Sequence, residues 1–219
     1  MKRVTRDHTT YVLTREIVPV LEIDPGEEVT FETLDASGGR IRTVQDGITF
    51  YPSPEETNPA TGPISVRGAH PGDSLVVQIL SIRLGPYGYS RIKPGAGGVI
   101  IDELRPPVAR ILSIESDGAL FSPGVRVPLR PMIGTIGTAP AGPGVPTYYP
   151  GPHGGNLDIN DVTVGATIYL PVNVEGALLA LGDVHAGMGD GELTGGGSGR
   201  PDQARGVRVL RRSSPVAPQ

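Results

Sequence analysis

The chain has 219 residues, a formal net charge of −4 and no cysteine. Its length suits one large or two small domains. The acidic balance argues against nucleic acid as a partner, since such proteins present a basic face, and the missing cysteines exclude disulfides, thiolate metal sites and a cysteine nucleophile. The stretch MKRVTRDHTTYVLTREI lacks the apolar centre of a leader peptide. The longest apolar runs, Val99 to Ile101 and Ala177 to Leu181, are far too short for a membrane helix. A soluble, cytoplasmic protein that binds no membrane is expected.

In chain order, residues 9–21 are rich in Thr, Val, Ile and Tyr and read as one or two strands. Asp24-Pro25-Gly26 is a turn: proline presets φ and glycine accepts the positive φ that follows. Val29 to Leu34 alternates, with Val29, Phe31 and Thr33 on the apolar face. A Pro-rich loop over 52–63 leads into a short strand, Ile64 to Val66. His70-Pro71-Gly72-Asp73 forms a turn before a strand from Ser74 to Leu84. Residues 85–97, rich in Gly, Pro and Tyr, read as a long loop. Val99 to Ile101, Val108 to Ile114 and Leu120 to Val127 are strand candidates, and Asp117-Gly118 marks a hairpin between the last two. After a Gly, Pro and Thr stretch to residue 155, strands are expected over Thr167 to Val172 and Gly176 to Leu181.

No run of helical period exceeds two turns. The 32 Gly and 23 Pro residues punctuate short β-branched runs. The fold class expected is mainly β: a β-sandwich or barrel-like body with long Gly/Pro-rich loops and little helix. One domain spans residues 1–194. The segment 195–219 carries five Arg and little strand pattern, and reads as a disordered tail.

Polar residues gather between 153 and 192. Asn156 with Asp158, Asp183 with His185, and Asp190 with Glu192 are each two positions apart. In extended chain, residues i and i+2 face one side, so each pair can aim at one point. A histidine with carboxylates is a donor set for zinc or another divalent cation, and a carboxylate nearby can take a proton from water. Each pair alone has a plainer reading. Asp-Val-His at a strand end is commonly a surface or capping pair, and Gly-Asp-Gly is commonly a turn. The EF-hand spacing is absent, which weakens a calcium-loop reading of residues 189–192. His153 reads as a loop residue and His70 as solvent-facing. Glu32 and Asp35 read equally as an exposed acidic edge. A serine hydrolase finds no Gly-x-Ser-x-Gly, and Gly134-Thr135-Ile136-Gly137 lacks the lysine of a phosphate loop.

Seven ordered segments carry a resemblance. Thr30 to Ala36, Asn58 to Ile64, Gly68 to Leu75, Ile133 to Ala141, Gly151 to Asp158, Ile168 to Gly176 and, most closely, Gly182 to Glu192 (GDVHAGMGDGE) are similar to segments of the acetamidase/formamidase family. The resemblance implies a β-rich fold and hydrolysis of short aliphatic amides such as formamide and acetamide to carboxylate and ammonia. It also implies a metal-activated water and a homo-oligomer. By motif it points to Glu32, Asp35, Asn156, Asp158, Asp183, His185, Asp190 and Glu192. Asp158, Asp183 and His185 are the expected ligands of a divalent metal, zinc first and calcium second. Glu192 is the first choice of general base, then Asp190, then Glu32. Asn156 would donate to the amide oxygen. Family members continue well beyond the Gly182–Glu192 signature, and an Arg-, Ser- and Pro-rich end is what a shifted reading frame produces. A truncated, inactive family fragment, or a metal-binding β-protein sharing only the acidic loops, is therefore the alternative.

Overall fold

The computed structural model describes residues 2–92, 106–190 and 201–212. The first half of the chain supplies β1 (Lys2–Val4), β2 (Thr9–Thr10), β3 (Val12–Leu13), β4 (Leu21–Ile23), β5 (Glu28–Phe31), β6 (Ala60–Val66), β7 (Ser74–Ile79), β8 (Arg83–Leu84) and β9 (Tyr87–Ile92). The second half supplies β10 (Val108–Glu115), β11 (Gly118–Ser122), β12 (Val125–Val127), β13 (Met132–Gly137), β14 (Val145–Pro146), β15 (Gly154–Asn156), β16 (Thr167–Pro171), β17 (Leu179–His185) and β18 (Pro201–Arg212). Among the described residues helix is limited to one α-helical segment, α1 (Val44–Thr49), and a single 3-10 turn. Thr43 caps α1: its side chain accepts from the Asp46 N–H while Asp46 reaches back to the Thr43 N–H. No described helix is long and apolar enough to cross a membrane.

Two six-stranded sheets dominate. One runs β1-β5-β18-β7-β16 with β8 on β18; the other runs β15-β13-β17-β6-β2 with β4 on β6. A single apolar core draws on both: Val29, Phe31, Val77 and Val209 from the first sheet, Ile64, Ile133, Leu179 and Leu181 from the second. Each such side chain contributes about 1.5–3 kcal/mol on burial. A four-stranded sheet, β12-β11-β10-β9, and the pair β14-β3 complete the fold.

The local signals account for much of this. Val29 and Phe31 are fully buried, as the alternation requires, and so is Thr33. Gly26 takes φ +96, and the Glu27 N–H closes the Asp24 turn at 3.2 Å. Gly118 takes φ +144 at the β10–β11 hairpin, opposite Glu115.

Several expectations require correction. The supposed loop over 85–97 contains β9, which pairs antiparallel with β10 from Tyr87↔Ser113 to Ile92↔Val108. Leu120 to Val127 is two strands, broken at Gly124 with φ +76. The strand placed at Gly176 begins at Leu179, because Ala177 and Leu178 both hold positive φ. The disordered tail 195–219 contains β18, lodged between β5 and β7. Val207 and Val209 of β18 are fully buried, and Arg208 pairs with Glu28 at 2.6 Å. An alternation of valine and arginine in a four-residue cluster is enough when neighbouring strands cover both edges. The strand candidate Val99 to Ile101 lies outside the described residues.

Candidate metal centre

β17 carries Asp183 and His185, and all seven of its residues are buried. Its neighbour β13 runs antiparallel, with Met132 opposite His185 and Thr135 opposite Gly182. Gly134 lies between those two positions. Its carbonyl accepts from the Leu157 N–H (2.9 Å) and the Asp158 N–H (3.1 Å), a turn that carries Asp158 over the strand pair. A β-carbon built on Gly134 would stand 2.7 Å from Asp158 Oδ1 and 2.9 Å from His185 Nε2. Glycine here leaves room for the Asp158 and His185 side chains and for the Asp183 carbonyl.

His185 Nε2 is 3.5 Å from Asp158 Oδ1 and 3.5 Å from Asp183 Oδ1. One ligand-type atom from each residue lies within 4.8 Å of the others. Asp183 and His185 are only 6% and 5% exposed. Asp158 and Asp183 both adopt left-handed backbone, φ +45 and +48. Such strain in non-glycine residues persists where surrounding structure imposes it and clusters at functional sites. Asp158 Oδ1 is buried and accepts no hydrogen bond among the described residues. Burial first, then the charge of Asp183, pushes the Asp158 carboxyl up to about 6; His185 and the Asn156 hydrogen bond act in the opposite sense. Two carboxylates and an imidazole around a shared space, one oxygen lacking a donor, fit a divalent cation.

The first of the three i, i+2 pairs is joined directly: Asn156 Nδ2 donates to Asp158 Oδ2 at 2.9 Å. The second shares one focus, at His185 and Asp183. Of the third, only Asp190 is among the described residues. Asp190 is exposed and its Oδ1 accepts from Asn160 at 2.6 Å, and Glu192 lies outside the described residues. Glu32 is buried but ion-paired with Arg3 and, at 3.9 Å, with Arg6. Asp35 is buried, its Oδ1 accepting from the N–H groups of Ser37 (2.8 Å) and Gly39 (3.1 Å). Glu32 and Asp35 are therefore not an exposed acidic edge. Their segment nonetheless abuts the centre, because the Asp183 N–H donates to Leu34 O at 3.2 Å. His70 is exposed and pairs with Glu175. His153 is buried, which lowers the pKa of its imidazole.

Sequence reasoning missed Gly134, Asn58, Thr135 and Tyr89. Asn58 Nδ2 and Thr135 Oγ1 both donate to Asn156 Oδ1, at 2.8 and 3.0 Å. Tyr89 is buried; burial, then the negative charges of Asp35 and Asp183, hold its hydroxyl well above the usual tyrosine range. Asn58, Gly134 and Thr135 lay in recognised segments, and Tyr89 did not. Gly134 is a glycine inside a strand pattern, between Ile133 and Thr135, which is a signal of close approach by other atoms.

The acetamidase/formamidase family model matches residues 6–147 and 141–200. The crystal structure of an acetamidase from Bacillus halodurans superposes with a TM-score of 0.91 at 40% identity, over 99% of this chain and 72% of that one. An acetamidase of Mycolicibacterium smegmatis is 30% identical over 81% of this chain and 59% of its own length. A formamidase of Methylophilus methylotrophus is 27% identical over 78% and 56%. This chain thus spans under two thirds of the curated relatives it matches. With its family match covering most of the sequence and its fold shared almost end to end, the chain belongs to the acetamidase/formamidase family.

Proposed function

We propose that the chain hydrolyses short aliphatic amides, formamide and acetamide first, to the carboxylate and ammonia, with zinc held by Asp158, Asp183 and His185. The observation that carries this reading is the approach of one ligand-type atom from each of those three side chains to within 4.8 Å of the others. The family's named activities support the reaction class. An imidazole among the donors favours zinc over calcium, which takes oxygen ligands.

When bound, a divalent cation supplies Lewis acidity, polarising a carbonyl and lowering the pKa of water toward neutrality. The chain's own residues do the rest. Asp158 and Asp183 fix two carboxylate oxygens against His185, and the buried walls exclude bulk water from the reacting carbonyl. Glu192 is the base we assign from the Gly182–Glu192 signature. It takes the proton of the attacking water and returns it to the departing nitrogen, so that the C–N bond breaks with ammonia as leaving group.

The test is ammonia release from formamide and acetamide by the purified chain, before and after chelation and after zinc is restored. Release lost on chelation and regained with zinc supports the reading. No release from a folded, zinc-loaded sample refutes it for this chain and leaves the inactive-fragment alternative.

A further inference from the structure

We propose that Asn58 is a positioning residue for the cation site, acting through Asn156 on Asp158; the inference rests on the metal reading above. Three hydrogen bonds run in one direction. Asn58 Nδ2 donates to Asn156 Oδ1 (2.8 Å), Thr135 Oγ1 donates to the same oxygen (3.0 Å), and Asn156 Nδ2 donates to Asp158 Oδ2 (2.9 Å).

The direction is imposed at both ends. An ionised Asp158 only accepts, so the Asn156 amide must face it with nitrogen. That turns the Asn156 oxygen away, toward the two donors. A flipped Asn156 would set its oxygen against the carboxylate and its N–H against the Asn58 N–H. Asn58 is itself held: it is 4% exposed, its N–H donates to Ala36 O at 2.9 Å, and Thr57 Oγ1 lies 3.1 Å from its Oδ1. It stands at φ +55, a conformation that asparagine tolerates better than most residues.

The consequence is a divided carboxylate. Oδ2 of Asp158 is occupied by Asn156, and Oδ1 alone faces His185. The last torsion of an aspartate is broad and soft. The chain of three hydrogen bonds removes that freedom and leaves one oxygen aimed at the cation. Asn156 thereby serves Asp158 through one of the two N–H donors of its amide.

The test uses the full chain stripped of metal, titrated with Co2+ by calorimetry and by visible absorption, whose band reports the ligand arrangement. Asn58→Gly accepts the positive φ without strain and removes the donor. Asn58→Asp keeps size and backbone tolerance but offers only acceptors, which turns the Asn156 amide around. Both variants are expected to bind Co2+ about 10–100-fold more weakly with an altered band, as for other groups that orient a metal ligand. Thr135→Val, which removes the second donor and keeps the shape, shifts both readouts in the same direction by less. His185→Ala serves as the reference for loss of a direct ligand.

If both Asn58 variants keep the parent's circular dichroism, affinity within about threefold and an unchanged band, the positioning role is overturned. Binding lost in His185→Ala but intact in the Asn58 variants overturns it alone and leaves the metal reading standing. A parent chain that binds neither Co2+ nor Zn2+ overturns both.

Discussion

Asp158 and Asp183 adopt nearly the same left-handed backbone, φ +45 and +48, and each turns one oxygen to 3.5 Å from His185 Nε2. They reach this geometry from different settings, a turn closed on the Gly134 carbonyl and a fully buried strand. Without a cation, two carboxylates at one largely buried focus repel.

Removing the Asp158 charge should stabilise the metal-free protein at neutral pH. Its folded pKa lies above the ordinary aspartate value, near 6, so the folded state binds more protons than the unfolded one between about pH 4 and 6. Stability therefore falls as pH rises through that window. Asp158→Asn should raise the unfolding free energy by about 1–3 kcal/mol at pH 7.5 and leave it nearly unchanged at pH 4. Thermal melts of chelated samples at the two pH values check this. The same variant should lose the increase in Tm that zinc gives the parent.

Gly134→Ala should keep the fold but damage the centre. The new methyl would meet Asp158 Oδ1 and Asp183 O at 2.7 Å, and one of those contacts is backbone. A loss of about 1–3 kcal/mol is expected from overpacking. Zinc affinity should fall at least about tenfold as Asp158 is displaced. Melting and calorimetric titration separate the two effects.

Glu32→Gln separates a structural carboxylate from a base. Glu32 is ion-paired with Arg3 and Arg6, both of which reach solvent. Stability should drop by about 1 kcal/mol. Amide hydrolysis should persist, whereas loss of a general base costs about 100-fold or more. Glu192→Gln should show the second pattern. Ammonia release and melting curves measured on both variants make the comparison.

Val209→Asp should unfold the protein. Val209 is fully buried in β18, opposite Val77, and an unpaired charge there costs at least about 3 kcal/mol. A disordered tail would accept the same substitution silently, so one circular dichroism melt tells the two apart.

Local rules made part of this molecule legible. The Val29 and Phe31 alternation, the Asp24-Pro25-Gly26 turn and the Asp117-Gly118 hairpin each depend on a few adjacent residues. The i, i+2 rule likewise anticipated that Asp183 and His185 share a focus, although Asp183 departs from extended backbone. What escaped depends on partners distant in sequence. β9 is rich in Gly, Tyr and Ser, and its identity as a strand comes from β10 beside it. β18 is mostly arginine and small residues, and it becomes a strand because β5 and β7 each offer it an edge. Asn58 sits 98 positions before the side chain it orients, and no spacing rule spans that distance.

The place of β18 has a consequence during synthesis. Glu28 and Arg208 join across 180 positions of chain, and β5 and β7 are linked in the sheet only through β18, which pairs with each. While the chain emerges from a ribosome, β5 and β7 each wait with one bare backbone edge, and the loop to be closed spans 180 positions. Unprotected edges at that stage recruit other strands. Slow translation or crowded expression should therefore favour aggregates over native protein, and an agent that shields strand edges during synthesis should raise the soluble yield.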